Sequence, residues 1–187
     1  MVLPVYVYGM SVLRKIAPEI PEDHKDLDQL ITDMFETMQA SDGIGLAAPQ
    51  VGKSLRIFVV DTTPVSEDRG DPALKDFKKV FINPYIVDEW GDPWSFEEGC
   101  LSLPKIREDV SRPSNIRVEY YDENWNLKEE EYDGIRARVI QHEYDHLDGK
   151  LFVDKINPIR RKLITARLNA ISRGRIDNDY KIVFPKK

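Results

Sequence analysis

The chain has 187 residues, of which 41% are hydrophobic and 32% are charged, so we expect a globular protein with a full apolar core. The net charge of -6 argues against a protein that coats nucleic acid, and a single cysteine excludes an internal disulfide and indicates a reducing, cytoplasmic compartment. The apolar N-terminus MVLPVYVYG lacks the basic leader of a signal peptide, and no later apolar run approaches the ~18 residues of a membrane span. We therefore expect neither membrane binding nor specific DNA binding.

The first half of the chain predicts one long helix followed by strands. Apolar residues recur at helical spacing over residues 26–40, which predicts an amphipathic helix with one buried face, and a short helical turn is expected at 11–15. Residues 54–61 and 80–90 predict strands. The polar segment between them, about 62–79, is interpreted as a surface loop or insertion.

The second half predicts a hairpin and two helices. Residues 114–122 and 127–133 are typical of two strands joined by a turn. Residues 135–148 are apolar on almost every side, which predicts a helix buried at the centre of the protein. A helix is expected over about 158–173, because Asn157 can cap it, Pro158 suits its first turn and Gly174 follows it. Residues 176–187 predict a short terminal strand without a catalytic feature. Nothing indicates a repeat or a boundary, so residues 1–187 are expected to form a single domain.

The segment VIQHEYDHL carries two of the three histidines of the chain. His142 and His146 lie four residues apart and therefore project from one face of a helix, where two imidazoles can bind one metal ion. Glu143 stands between them, close to the open coordination position of such an ion. The alternative is a pair of structural histidines four apart by chance, which would leave a mostly apolar helix with unexplained polar residues.

A catalytic metal usually takes a third protein ligand and leaves a fourth position for water. No histidine or glutamate follows His146, and the aspartates that do are better explained as turn, cap or surface residues. His24 lies in the charged stretch PEDHKD and is expected to be solvated. Cys100, in FEEGCLSLP, is the only thiol. A lone cysteine is more often a small buried hydrophobe, but here it is the remaining candidate, and the site that we infer is Cys100, His142, His146 and water.

A third segment, GIGLAAPQ at residues 43–50, suits a backbone that another chain approaches closely, and Gln50 offers an amide donor. By itself it could equally be a helix end followed by a loop. Together, GIGLAAPQ, EGCLS and QHEYDH resemble the signature of the peptide deformylases, in the order and at the spacing of that family, over most of residues 1–155. The resemblance implies an α+β fold with antiparallel sheets around a central helix that carries the histidine motif, followed here by a C-terminal helix and a short terminal strand.

The resemblance also implies an activity, the removal of the N-terminal formyl group from formyl-methionyl nascent polypeptides with release of formate. Metal-bound water attacks the formyl carbon, and Glu143 is the general base that becomes the general acid. The side-chain amide of Gln50 and the backbone N–H of Leu101 would stabilise the oxyanion. Asp145 is interpreted as a residue that packs or forms hydrogen bonds on the helix, or as a partner of a ligand histidine.

Selectivity for methionine requires an apolar pocket, which we assign to Ile44, Ile135 and Val139. The substrate main chain can add as a strand between the backbone near Gly45 and the stretch that leads to Gly99.

Two arginines complete the predicted cleft. Arg138 stands one turn before His142, where some relatives have an apolar residue, so its stem is expected to line the pocket with the charged group outward. Arg107 is a candidate contact to the peptide backbone or a surface residue.

Thiolate and imidazole ligands suit zinc by simple preference, whereas the resemblance implies Fe²⁺, with zinc, nickel or cobalt as substitutes. Seven lysines or arginines and no acid lie between Lys155 and Arg175. This basic helix is either a solvated face or a contact to ribosomal RNA. Two other functions stay open from the residues alone, a metallopeptidase of other specificity and a module that a structural metal stabilises.

Overall fold

The structure is a computed structural model that describes residues 1–186, without the side chains of residues 67 and 68. The helices of this part of the chain are Leu27–Ala40 (α1), Thr63–Arg69 (α2), Gly134–Leu147 (α3), Pro158–Leu163 (α4) and Thr165–Ser172 (α5). The strands are Val5–Tyr6 (β1), Gly45–Ala47 (β2), Ile57–Asp61 (β3), Lys78–Trp90 (β4), Trp94–Cys100 (β5), Leu103–Arg112 (β6), Asn115–Tyr121 (β7), Leu127–Asp133 (β8) and Ile182–Val183 (β9). Within residues 1–186, no helix is long and apolar enough to cross a membrane.

The strands form three sheets. The largest has the order β2-β3-β4-β7-β8 with antiparallel pairs throughout, so β2 is an edge strand. A second sheet is the antiparallel hairpin of β5 and β6, which is connected by a two-residue loop, Leu101 and Ser102. The third pairs β1 with β9 in parallel and so joins the N-terminal and C-terminal segments. The predicted α+β fold with antiparallel sheets around one helix is confirmed, with this parallel pair as an addition.

Helix α3 packs against β2, β3, β7 and β8 and is the central element of the fold. Its apolar residues Ala137, Ile140 and Leu147 belong to the cluster that contains the stacked rings of Phe58 and Phe81, whose centroids lie 4.7 Å apart. The prediction of a buried helix is confirmed, but its physical basis is different. Most of the side chains on α3 between positions 138 and 146 are polar and buried, and several of them share hydrogen-bond partners in the functional site.

The C-terminal end of α3 is closed by a Schellman motif. The N–H of Lys150 donates to the carbonyl of Asp145 at 2.9 Å, and the N–H of Gly149 donates to the carbonyl of His146 at 3.3 Å. Gly149 has φ +70°, and a Cβ there would lie 2.7 Å from the backbone of Arg14. Glycine is therefore required where this helix end meets the segment after β1.

Three predicted elements differ in the structure. Residues 62–79, predicted as a surface loop, contain α2 and a 3₁₀ turn, and Leu74 is fully buried because its side chain reaches the core. The C-terminal helix is divided into α4 and α5 at Ile164, whose side chain is buried. The strand predicted from residue 54 begins only at Ile57. The hairpin of β5 and β6 is not among the predicted elements.

Candidate metal centre and substrate cleft

A cleft of about 670 Å³ opens between the edge of β2, the β5–β6 hairpin and α3. Its wall includes Cys100 from the end of β5 and both His142 and Glu143 from α3. Gln50, from the 3₁₀ turn that follows β2, also lines it. Three segments that are distant in the sequence therefore supply the reactive side chains of one cavity.

Cys100, His142 and His146 each direct one ligand atom to the same point. These three atoms all lie within 4.8 Å of one another, and Cys100 Sγ is 3.3 Å from His146 Nε2. An ion with tetrahedral ligands at about 2.0–2.3 Å holds its donor atoms roughly 3.3–3.6 Å apart. The thiolate and two imidazoles therefore fit a divalent transition metal, and His24 does not belong to this group.

Hydrogen bonding and burial act differently on the two imidazoles. Nδ1 of His142 lies 2.9 Å from Glu98 Oε2 and donates to it, which leaves Nε2 for an ion. Burial lowers the pKa of His142, but Cys100 and Glu98 outweigh it and raise the pKa well above the usual value, so a metal ion would have to displace a proton from this ring. Burial, and then the charge of His142, hold the pKa of His146 well below its usual value, so that its ring is neutral.

Glu143 is buried beside these ligands without a compensating partner. Its Oε2 has no hydrogen-bond partner among the described residues, and burial raises the pKa of Glu143 to about 7. The carboxylate lies against the backbone of β2, where a Cβ added to Gly45 would be 2.5 Å from Glu143 Oε1. Position 45 therefore needs glycine, and Glu143 is free to accept or release a proton near neutral pH.

Gln50 is 1% exposed, and a hydrogen bond from a nearby backbone N–H fixes its side chain. Its Oε1 accepts from the N–H of Ala47 at 2.8 Å, which directs Nε2 toward Cys100 Sγ at 3.4 Å and Ser102 Oγ at 3.3 Å. The Gln50 amide is thus an oriented donor beside the thiolate, at the loop that also carries Leu101.

Comparison with known proteins decides the family. The model of the family described as "Polypeptide deformylase" matches residues 2–162. A peptide deformylase of Christiangramia forsetii is 49% identical over 99% of this chain and 97% of its own, and one of Cytophaga hutchinsonii is 48% identical over the whole of both chains. The crystal structure of a peptide deformylase from Legionella pneumophila superimposes with a TM-score of 0.80 at 36% identity, over 94% of this chain and 98% of the other.

The chain belongs to the peptide deformylase family. It is a metal-dependent hydrolase that removes the formyl group from the N-terminus of nascent peptides. This result sets aside the metallopeptidase of other specificity and the module with a structural metal, which the residues alone had left open.

Behind Cys100, His142 and His146 lies a buried charge network that the sequence analysis missed. Both carboxylate oxygens of Glu98 accept from Arg112, at 2.6 and 2.9 Å, and Arg138 Nη1 donates to Oε1 at 3.0 Å. Although burial acts against it, Arg112 and His142 hold the pKa of Glu98 far below its usual range. One signal was available, since Glu98 is two residues before Cys100 and regular strand alternation would place both on one face.

Two expectations about α3 are corrected by this network. Arg138 does not point outward, because it is 2% exposed and its guanidinium donates to Glu98 and to the carbonyls of Val110 and Trp94 at 2.8 and 2.7 Å. Asp145 is not a partner of a histidine but accepts from Arg112 Nη1 at 2.7 Å. Both side chains face the protein interior because opposite charges are available there.

The predicted substrate residues divide into two groups. Ile44, Gly45, Gly99 and Val139 line the cleft of this deformylase. Ile135 is absent from its lining and packs against the core cluster of α3 and the large sheet. Ile135 is one turn further from the histidines than Val139, and that distance along the helix places it beyond the wall of the cleft.

Further residues of the cleft come from segments that the sequence analysis interpreted otherwise. Val65 and Arg69 of α2 contribute to the wall, as do Asn178, Asp179 and Tyr180 near the C-terminus. Arg107 also lines it, with a side chain that is 67% exposed and 3.8 Å from Glu97. No local pattern indicated the first two groups, because their proximity to the cleft arises from packing between distant segments.

Proposed function

We propose that Cys100, His142 and His146 hold the metal of this deformylase, that Glu143 transfers the proton, and that Gln50 and the N–H of Leu101 stabilise the oxyanion. The observation that carries this assignment is the convergence of the three ligand atoms within 4.8 Å in one cleft, with Glu143 and Gln50 buried beside them. When bound, the ion supplies Lewis-acid activation of water and of the formyl oxygen.

The residues of the chain then account for each proton and charge. Glu143 accepts a proton from the attacking water and delivers it to the amide nitrogen, so that the C–N bond breaks to give formate and a free amine. The developing negative charge on the formyl oxygen receives hydrogen bonds from the Gln50 amide and the Leu101 N–H. The pKa of Glu143 near 7 matches a group that must act first as a base and then as an acid.

We propose that the substrate binds as an added strand. β2 is the edge of the five-stranded sheet, and β5 pairs only with β6 in the described chain, so the backbones near Gly45 and Gly99 both offer donors and acceptors to a peptide between them. Ile44 and Val139 supply the apolar surface for the methionine side chain. Ile135 is not part of this proposal.

Replacing Gln50 by alanine is expected to lower kcat for a formyl-Met tripeptide about 10²- to 10³-fold, because one oxyanion donor is lost. The measurement is formate release, normalised to bound metal, with the acetylated peptide as a second substrate. Gln29→Ala, which removes an exposed amide on α1, is the matched control and should keep full activity. A Gln50→Ala enzyme with normal kcat would contradict the oxyanion role.

We propose Fe²⁺ as the ion bound in the cell. The support is the mixed thiolate and imidazole ligand set together with the family, and zinc, nickel or cobalt are substitutes of similar coordination. Protein prepared without oxygen should contain iron and lose activity in air as Cys100 oxidises, whereas nickel-loaded protein should remain active. Zinc in the anaerobic preparation, with full activity, would overturn this choice.

We also propose a contact to the ribosome through the basic segment of α4 and α5. Part of its charge is used within the protein, since Arg160 pairs with Glu108 at 2.8 and 3.0 Å and Arg161 pairs with Asp154 at 3.1 Å. Lys162 is exposed and remains a candidate for RNA. Lys162→Glu should reduce co-sedimentation with ribosomes at low salt, and Lys128→Glu on β8 should not; equal binding of both would exclude this surface.

We propose that residues 1–187 form one folding unit that works in the cytoplasm, where nascent formylated chains emerge. The pairing of β1 with β9 supports one unit because it connects the two ends of the chain. Thermal unfolding should be a single transition with equal calorimetric and van't Hoff enthalpies. Two separate transitions would indicate two units, and cell fractionation tests the location.

A further inference from the structure

The segment before β9 lies against the loop that follows Cys100. In the sequence this tail showed no catalytic feature, and it lies beyond residues 2–162 that the family model matches. In the structure, Asn178 and Tyr180 are half-buried in the wall of the cleft. The segment is anchored by β9, because the N–H groups of Val5 and Val7 donate to the carbonyls of Lys181 and Val183 at 2.9 and 3.0 Å.

Tyr180 makes one specific contact to the catalytic loop. Its hydroxyl donates to the carbonyl of Leu101 at 2.7 Å, and its own carbonyl accepts from Asn178 Nδ2 at 2.9 Å. The next carbonyl of the loop, that of Ser102, accepts from the N–H of Tyr8 at 2.9 Å. Both carbonyls of the two-residue loop between β5 and β6 are therefore bonded to groups from the β1–β9 pair or its flanking residues.

This loop joins two functions of the proposed mechanism. Cys100, the metal ligand, precedes it, and the N–H of Leu101 is an oxyanion donor. The peptide planes on either side of the Leu101 Cα are connected by only two rotatable bonds, so a bond to the Leu101 carbonyl limits the orientation of the neighbouring plane that carries the N–H. A donor of this kind is effective only when it is held in place before the reaction.

We propose that Tyr180 is a positioning residue of this deformylase, whose hydroxyl holds the Leu101 loop so that the Leu101 N–H and Cys100 are correctly oriented. The proposal rests on the roles assigned above to Leu101 and Cys100. Burial, and secondarily Cys100, raise the pKa of Tyr180, so its hydroxyl stays a donor over the whole working range of pH. Through Tyr180, the C-terminal segment becomes part of the active site.

Tyr180→Phe tests this because it removes only the hydroxyl. We expect kcat per bound metal to fall about tenfold, the lower end of the range for partners of metal ligands, with KM changed less than twofold. In protein loaded with Co²⁺, the thiolate-to-cobalt absorption should shift, because the loop after Cys100 has moved. Tyr85→Phe, which removes a surface hydroxyl that donates to Glu19 at 3.0 Å, is the matched control and should change neither quantity.

An unchanged kcat and an unchanged cobalt spectrum in Tyr180→Phe would overturn the proposal, as would a lower melting temperature with normal kcat per bound metal. If Tyr180→Phe does not fold, Asn178→Ala decides, since it loosens the backbone of Tyr180 and should reduce kcat in the same direction; normal kcat would count against the proposal. Gln50→Ala distinguishes a failure of the proposed oxyanion site from a failure of the role proposed for Tyr180. Full activity of Gln50→Ala would count against the proposed oxyanion site itself. A low kcat of Gln50→Ala together with a normal kcat of Tyr180→Phe would exclude only the role proposed for Tyr180.

Discussion

Glu143→Gln is expected to lower kcat about 10³- to 10⁴-fold while the protein keeps its metal and its fold. The carboxylate serves in both proton transfers, so its loss should lie at the upper end of the range for general acid–base residues. Glutamine keeps the shape of the side chain and avoids burying a charge. Because Glu143 Oε2 has no partner in the described part of the chain and burial raises the pKa of Glu143 to about 7, folding should be unaffected or slightly more favourable.

Formate release per bound metal and the urea midpoint measure the two effects separately. The matched control is Glu129→Gln on β8, where the side chain is 55% exposed, and both quantities should stay at their normal values. A Glu143→Gln enzyme with more than about a tenth of normal kcat would show that another group transfers the proton. Loss of activity through loss of metal would instead place Glu143 among the determinants of metal binding.

Glu98→Gln should cost about 3–5 kcal/mol of folding free energy and weaken metal binding about 10- to 100-fold. Glu98 is the carboxylate that faces both Arg112 and Arg138, which are 3% and 2% exposed. An amide cannot neutralise two buried guanidinium groups, so they would be left with Asp145, which contacts only Arg112 within this network. The same change weakens the bond that orients His142.

Urea unfolding of the metal-loaded protein and competition with a chelator measure these two effects. Glu97→Gln is a close control, since Glu97 is the preceding residue of β5 with its side chain 61% exposed and 3.8 Å from Arg107. It should change stability by less than about 0.5 kcal/mol. Equal stability of Glu98→Gln and Glu97→Gln would mean that the buried network does not stabilise this fold.

Glu98 and Glu143 show how one cleft prepares two glutamates for different tasks. Both are buried, but Arg112 and His142 donate hydrogen bonds to Glu98 and lower its pKa, while Glu143 Oε2 receives none from the described residues and burial raises its pKa. The first is a permanent anion that orients a ligand, and the second can gain and lose a proton near neutral pH. Their distinct environments arise because β5 and α3 meet behind the metal ligands.

The chemistry of the site could be predicted from sequence because its parts lie in short segments with fixed local geometry. His142 and His146 share a helix face at any position in a fold, and Gly45 marks the close approach of β2 to Glu143. The antiparallel hairpin of β7 and β8 and the helix α1 followed from apolar periodicity. Recognition of the family added the order of three segments, which no single segment carries.

The arrangement around those segments depended on tertiary packing. A charged residue such as Arg138 is expected at the surface unless a partner is available inside, and the partner Glu98 is 40 residues away in sequence. The contact of Tyr180 with Leu101 spans 79 residues and requires β1 and β9 to pair. The sequence by itself determined that His142 and His146 share one face of a helix, because helical spacing is local. Only the tertiary structure decided which charges compensate one another and that the C-terminal segment borders the cleft, because these depend on contacts between distant segments.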